Sequence, residues 1–151
     1  MANTQAMATS FKTELLSGIH ALGTTVIRAG TGADTFKAAL YLTTATLDAS
    51  TTAYSSSNEV SGTGYSAGGI TVTNATAPTS SGTTAYWTPS ANFVYTTVTL
   101  ATAFDAVLIY NSTQSNKAVS VHTFGSQTIS AGTFTLTMPT SDATNALIRI
   151  A

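Results

Sequence analysis

From Thr35 onward, apolar residues return at every second position, and that period decides what the chain can fold into. Phe36, Ala38, Leu40 and Leu42 fall on one side of an extended segment, with Lys37, Ala39 and Tyr41 on the other. Successive side chains of a strand point to opposite faces, so the pattern predicts a half-buried strand. Strand-like segments then follow to the end: GITVTNA from Gly69, TTAYWTP (83–89), NFVYTTVTLA (92–101), FDAVLIYN (104–111), KAVSVHTF (117–124), GTFTLTMP (132–139) and NALIRIA (145–151). In 92–101, Val94, Thr96, Val98 and Leu100 share a face. FDAVLIYN is almost continuously apolar, which predicts a central strand covered on both faces. STQSN (112–116) predicts a hairpin turn into KAVSVHTF. Pro78, Pro89 and Pro139 all fall near strand ends, where a missing ladder donor does least harm. Seven or eight short strands without βαβ alternation predict a mainly β fold, an antiparallel β-sandwich of jelly-roll type.

One helix is expected before this series. Phe11, Leu15, Ile19 and Leu22 recur at helical spacing, Leu16 widens the face, Thr9 or Ser10 can cap its start and Gly23 can end it. The chain therefore divides into an N-terminal helix or arm, residues 1–30, and a β-sandwich domain, residues 31–151, with TGAD (31–34) as the turn between them. The N-terminus lacks a basic start, and Glu14 and His20 interrupt its apolar stretch, so it does not read as a signal peptide. No run approaches the length of a membrane span.

Between the first two strands lies a polar segment, residues 43–69, of a length usually tied to function. It ends in EVSGTGYSAGG, with Gly62, Gly64, Gly68 and Gly69 close together. Glycines so spaced can cradle a phosphate. A phosphate loop, however, needs Lys and a hydroxyl residue directly after the last glycine, and Ile70 stands there. A dinucleotide fingerprint needs a preceding strand and a following helix, and neither pattern is present. The glycines are expected to serve tight reversals instead.

Composition narrows the function classes. Only 7% of residues are charged and the net charge is −1. Five basic residues over 151 cannot form a stripe that neutralises nucleic-acid phosphates. Cysteine is absent, which excludes disulfides and thiolate metal sites. About a fifth of the residues are Thr, a β-branched residue that suits a pleated surface and adds no charge. Such a neutral surface is poorly protected against association; it reads either as a surface covered by partners or as the hydroxyl-rich face of a secreted β-domain.

The groups able to do chemistry are sparse. His20 and His122 have no partner at a ligand spacing. Asp34, Asp48 and Asp142 sit in expected turns, where their oxygens bond nearby amides. Asp105, if buried, needs a partner from Arg28, Lys37, Lys117 or Arg149. Tyr86 and Trp87 are adjacent and so point to opposite faces of a strand; an exposed Trp87 would offer a platform for sugar. NAT (74–76) and NST (111–113) match the glycosylation pattern by chance. No catalytic residue, cofactor or metal site is expected, and the protein reads as a non-enzyme.

Three stretches carry a family likeness: DTFKAALYLTTATLDASTTAYSSSNEVSGTGYSAGG, AVLIYNSTQSNKAVSVHTFGS and ISAGTFTLTMPTSDATNALIRIA. In this order the chain resembles a family of small structural proteins of tailed bacteriophages, over roughly residues 34–151. It departs from that family's pattern between Trp87 and Asn92. Some such proteins are similar to the jelly-roll cement, or decoration, proteins on the outside of icosahedral heads. The resemblance implies a virion protein on the capsid surface, assembled in the host cytoplasm. Its implied partners are the major capsid protein and further copies of itself, as a dimer or trimer, without nucleic acid or membrane. Phe11, Leu15, Ile19, Tyr54 and Tyr65 are the expected partner contacts. The rival readings are a tail or head–tail connector component and a carbohydrate-binding β-sandwich module.

Overall fold

The computed structural model describes residues 3–8, 10, 11, 15, 19, 20, 22, 23 and 32–151. These carry eight strands: β1 Ala6–Met7, β2 Phe36–Leu42, β3 Ile70–Thr71, β4 Thr79–Ser81, β5 Thr84–Trp87, β6 Phe93–Asn111, β7 Lys117–Leu136 and β8 Ile148–Ile150. They form two antiparallel sheets, one of five strands in the order β1-β7-β6-β2-β3 and one of three in the order β4-β5-β8. The mainly β architecture expected from the alternation is present.

Strand lengths differ from expectation. Segments 92–101 and 104–111 are one strand, β6, of 19 residues. Segments 117–124 and 132–139 likewise merge in β7, of 20 residues. The breaks in alternation that suggested strand ends are bulges. Register shifts fall between Tyr95 and Val98, where Thr97 has φ +55°, and again between Val98 and Leu100, opposite Ala131 at φ +48°. An extra residue in one strand bends the ladder without ending it.

The β6–β7 hairpin organises the fold. Its turn puts Ser115 and Asn116 at φ +54° and +57°, with the Lys117 amide donating to the Gln114 carbonyl at 3.1 Å. Two left-handed central residues match the right-handed twist of the flanking strands. The buried Asn111 side chain fixes the turn from inside by accepting from the Thr113 and Gln114 amides, each at 3.1 Å. Between β7 and β2, residues 106–111 are buried on both faces, as FDAVLIYN predicted. Fully burying side chains such as Leu108 and Ile109 contributes about 1.5–3 kcal/mol each.

The N-terminal segment is joined to the sheet. Ala6 and Met7 pair with Val121 and Ser120, so at these residues the segment is part of the domain and not a separate arm. Asn3 pins the approach, its amide donating to Asp105 Oδ1 at 2.6 Å and the Leu42 carbonyl at 3.1 Å. Of the expected helix, Ser10, Phe11 and Leu15 have helical backbone, Ile19, His20, Leu22 and Gly23 do not, and the remaining positions lie outside the described residues, so no helix is established as an element of the fold. The His20 ring is taken into the core, 4.8 Å from Phe11 and 6.5 Å from Phe36.

Candidate functional site

The polar segment 43–69 is the longest fully described stretch outside the strands, and it is held down along its length. Its second half follows the open edge of β2. The Leu42 amide donates to the Asn58 carbonyl at 3.0 Å and the Val60 amide to the Leu40 carbonyl at 2.9 Å. β3 then pairs with Lys37 and Ala38 further along the same edge. Between these two pairings the chain must loop out and return, and Glu59 closes that loop.

Glu59 is buried. Its Oε2 accepts from the Tyr54 hydroxyl at 2.6 Å, and its Oε1 from the Tyr65 hydroxyl at 2.8 Å and the Gly68 amide at 2.7 Å. Tyr65 in turn accepts from the Leu40 amide at 2.9 Å, which links the carboxylate to the backbone of β2. Tyr54 stacks on Tyr110 at 4.7 Å and Tyr65 on Tyr95 at 6.0 Å. Burial, and then the neighbouring Glu59 carboxylate, pushes the Tyr54 phenol above its ordinary range; burial does most of the same for Tyr65. Both phenols therefore stay protonated donors. The glycine stretch does receive an anion, but the anion is the chain's own side chain. A buried carboxylate is stable when charge-assisted bonds satisfy its lone pairs.

The glycines bring backbone against backbone. A Cβ on Gly62 would lie 2.1 Å from the Thr99 carbonyl oxygen, and one on Gly64 2.2 Å from that of Thr97. Gly64, Gly68 and Gly69 have φ of +78°, +86° and +72°. The expectation of tight reversals is met, with close approach to β6 and β2 as a second reason for glycine.

Glu59→Gln is expected to lower stability by about 1–2 kcal/mol, since bonds to a charged acceptor become bonds to a neutral one. Urea unfolding measures the loss. The Gly68 amide should also exchange faster with solvent, and an unchanged amide would mean that the carboxylate does not hold this loop.

The expected contact residues are placed differently from one another. Phe11 is fully buried beside His20 and presents no surface to a partner, which corrects its assignment. Leu15 and Ile19 are half-buried. Leu15, with Leu22, Pro78, Tyr86, Trp87 and Ile148, borders an apolar slot of about 180 Å³. Tyr54 and Tyr65 are half-buried, with their hydroxyls turned inward to Glu59. The structure does not bring these five side chains together on one face.

Trp87 is 1% exposed, packs 6.1 Å from Phe36 and donates its indole N–H to the Thr76 carbonyl at 2.8 Å. It offers no ring face to a sugar. Tyr86, its neighbour, is the half-exposed member of the pair.

The titratable groups are likewise tied to backbone and core. Because Asn111 Oδ1 accepts two amides, its Nδ2 faces Asp34 at 2.8 Å and His20 Nδ1 at 3.0 Å. Nδ1 of His20 is then an acceptor, which places the ring proton on Nε2. Asp48 and Asp142 bond nearby amides as turn residues do. Asp34 differs from expectation: it is buried, and the Asn111 and Gln114 side chains bond it. Asp105 is half-buried and accepts from the Asn3 side-chain amide; of its expected cationic partners, Arg28 lies outside the described residues. Glu59, Asn3 and Asn111 were not singled out by sequence, because nothing in their local pattern separates them from other polar loop residues. Among the described residues no three His, Asp or Glu side chains are grouped as a metal ion requires.

His122 Nε2 lies 2.9 Å from Ser120 Oγ, at the border of a polar cleft of about 410 Å³ shared with Gln5, Asn145 and Arg149. Ser120 is buried, so the pair is not an exposed nucleophile and base. Burial pushes the His122 imidazole down to about 4. The unfolded chain, with an ordinary histidine near 6.5, binds the proton first as pH falls. Stability from this group is complete above pH 6.5 and is lost as pH falls toward about 4. Thermal melts across that window should show the decline, and His122→Gln should flatten it; an unchanged slope would sink the assignment.

Compared with protein-family models, curated proteins and solved structures, the chain matches none.

Proposed function

We propose that the protein is a structural component of a tailed-bacteriophage particle, a head decoration (cement) protein that binds the outer capsid surface and bridges major capsid subunits. A β-sandwich of jelly-roll type is part of this proposal. The observation that carries it is the inward commitment of the reactive groups. Glu59 locks a surface loop, His20 and Asp34 meet at Asn111, and His122 bonds a buried serine. Polar chemistry so arranged serves shape. What the outside offers is neutral β-surface rich in Thr, with short strands and open edges at the sheet margins. A cement protein needs that combination: a rigid body, many weak contacts and no turnover. Repetition over a symmetric shell multiplies weak contacts, because a second contact in an assembly is effectively intramolecular.

The test is stoichiometry and position in a purified particle. A decoration protein is present in hundreds of copies, on the order set by icosahedral symmetry. One or a few rings at a vertex would replace the proposal with a tail or connector component. Absence from the particle would end both.

A further inference from the structure

Residues 132–136 (GTFTL) form the last regular run of β7. On one side they pair with β6, with Leu136 opposite Phe93, Thr135 opposite Val94 and Phe134 opposite Tyr95. On the other side β1 reaches β7 only at Ser120 and Val121. Among the described residues no backbone or side-chain bond reaches the outer side of 132–136. In an antiparallel pair, alternate residues aim their N–H and C=O away from the partner strand, so this edge presents unpaired groups. Proteins usually blunt such an edge with charge, proline, a bulge or a covering segment. This run has no charge and no proline. The Ala131 bulge lies just before it, and the bulge at Thr97 that faces Gly132–Phe134 belongs to β6, so the run itself carries no extra residue.

We propose that this edge pairs with the same edge of a second copy, antiparallel about a two-fold axis through Phe134. The sequence is self-complementary in that register. Leu136 of one copy falls opposite Gly132 of the other, so a large residue meets a small one. Thr133 falls opposite Thr135 on the solvent face, which both occupy as exposed residues beside Val94, itself 40% exposed. Cross-strand Thr pairs of this kind contribute favourably. On the opposite face Phe134 meets Phe134 and extends the aromatic row in which it lies 5.0 Å from Phe104 and 5.3 Å from Phe124. A two-fold interface brings each residue near its own copy, and a neutral edge meets no like charge there. The pairing gives a dimer, and it stands independently of the particle the protein serves.

Sedimentation of the full chain over a range of concentrations tests it. The wild type is expected to be a dimer. Thr133→Lys with Thr135→Lys sets lysine against lysine twice across the axis and should weaken the dimer by about tenfold or more. Thr133→Lys with Thr135→Glu sets lysine against glutamate in the same register and should restore it. Both positions are exposed, so thermal melts should change little, and the restoring variant separates lost pairing from lost folding. A monomeric or trimeric wild type, a lysine–lysine variant that stays dimeric, or a lysine–glutamate variant that stays dissociated would each overturn the proposal.

Discussion

Trp87→Ala is expected to lower stability by about 3–5 kcal/mol, the range for truncating a large buried aromatic. The site cannot collapse easily. Trp87 sits on β5 against Phe36 of β2, where the small sheet meets the large one, and Ile148 is its cross-strand neighbour. The indole N–H also satisfies the Thr76 carbonyl, which holds the segment leading into β4. At this chain length the loss corresponds to a fall of roughly 10 °C in Tm. Trp87→Phe should cost less, since most of the apolar volume stays and only the indole bond is lost. A sugar-platform role predicts the reverse pattern: lost glycan binding with an unchanged melt. That result would contradict the burial of this ring.

The sequence carried the class of the fold but not its connections. Alternation from Phe36 and the apolar run at FDAVLIYN followed directly from which faces must be buried, and both are strands. Alternation cannot tell a bulge from a strand end, however, because both interrupt the period. The gaps at 102–103 and 125–131, where the register shifts around Phe104, therefore read as breaks, and two long strands were divided into four. Adjacent Tyr86 and Trp87 had to face opposite ways, but only the position of Phe36 decides which ring goes inside. The helix pattern ran through Ile19 and Leu22, which are not helical, because periodicity does not register that the His20 side chain meets Asn111, 91 residues away. The candidate site was least legible. Glu59 stood at the head of the glycine stretch with no local pattern to mark it, and its meaning appears only when Tyr54, Tyr65 and Gly68 fold around it.

The glycines allow the close approach to be separated from the backbone conformation, and Gly69→Ala is expected to cost the most because it meets both. Its φ is +72°, a region that costs an L-residue roughly 1–2 kcal/mol. A Cβ there would also lie 1.8 Å from the Ala38 carbonyl oxygen and 2.7 Å from the Ala39 Cα. Those atoms cannot move aside cheaply. They belong to β2, paired on one side with β6, and the Ala38 carbonyl also accepts the Tyr95 hydroxyl at 2.8 Å. Forcing them apart adds the cost of overpacking, about 1–3 kcal/mol or more, so the total reaches about 2–5 kcal/mol. Three companions isolate the parts. Gly82→Ala meets nothing within 4 Å but has φ +57°, and should lose about 1 kcal/mol from conformation alone. Gly62→Ala has no positive φ but would meet the Thr99 carbonyl oxygen at 2.1 Å, and should lose about 1–3 kcal/mol from crowding alone. Gly125→Ala meets neither obstacle and should be neutral or slightly stabilising, because alanine restricts the unfolded chain more than glycine does. Urea unfolding of the four variants gives the order directly. If Gly69→Ala lost no more than Gly82→Ala, the loop would not lie against β2 as described, and the glycine stretch would be a reversal and nothing more.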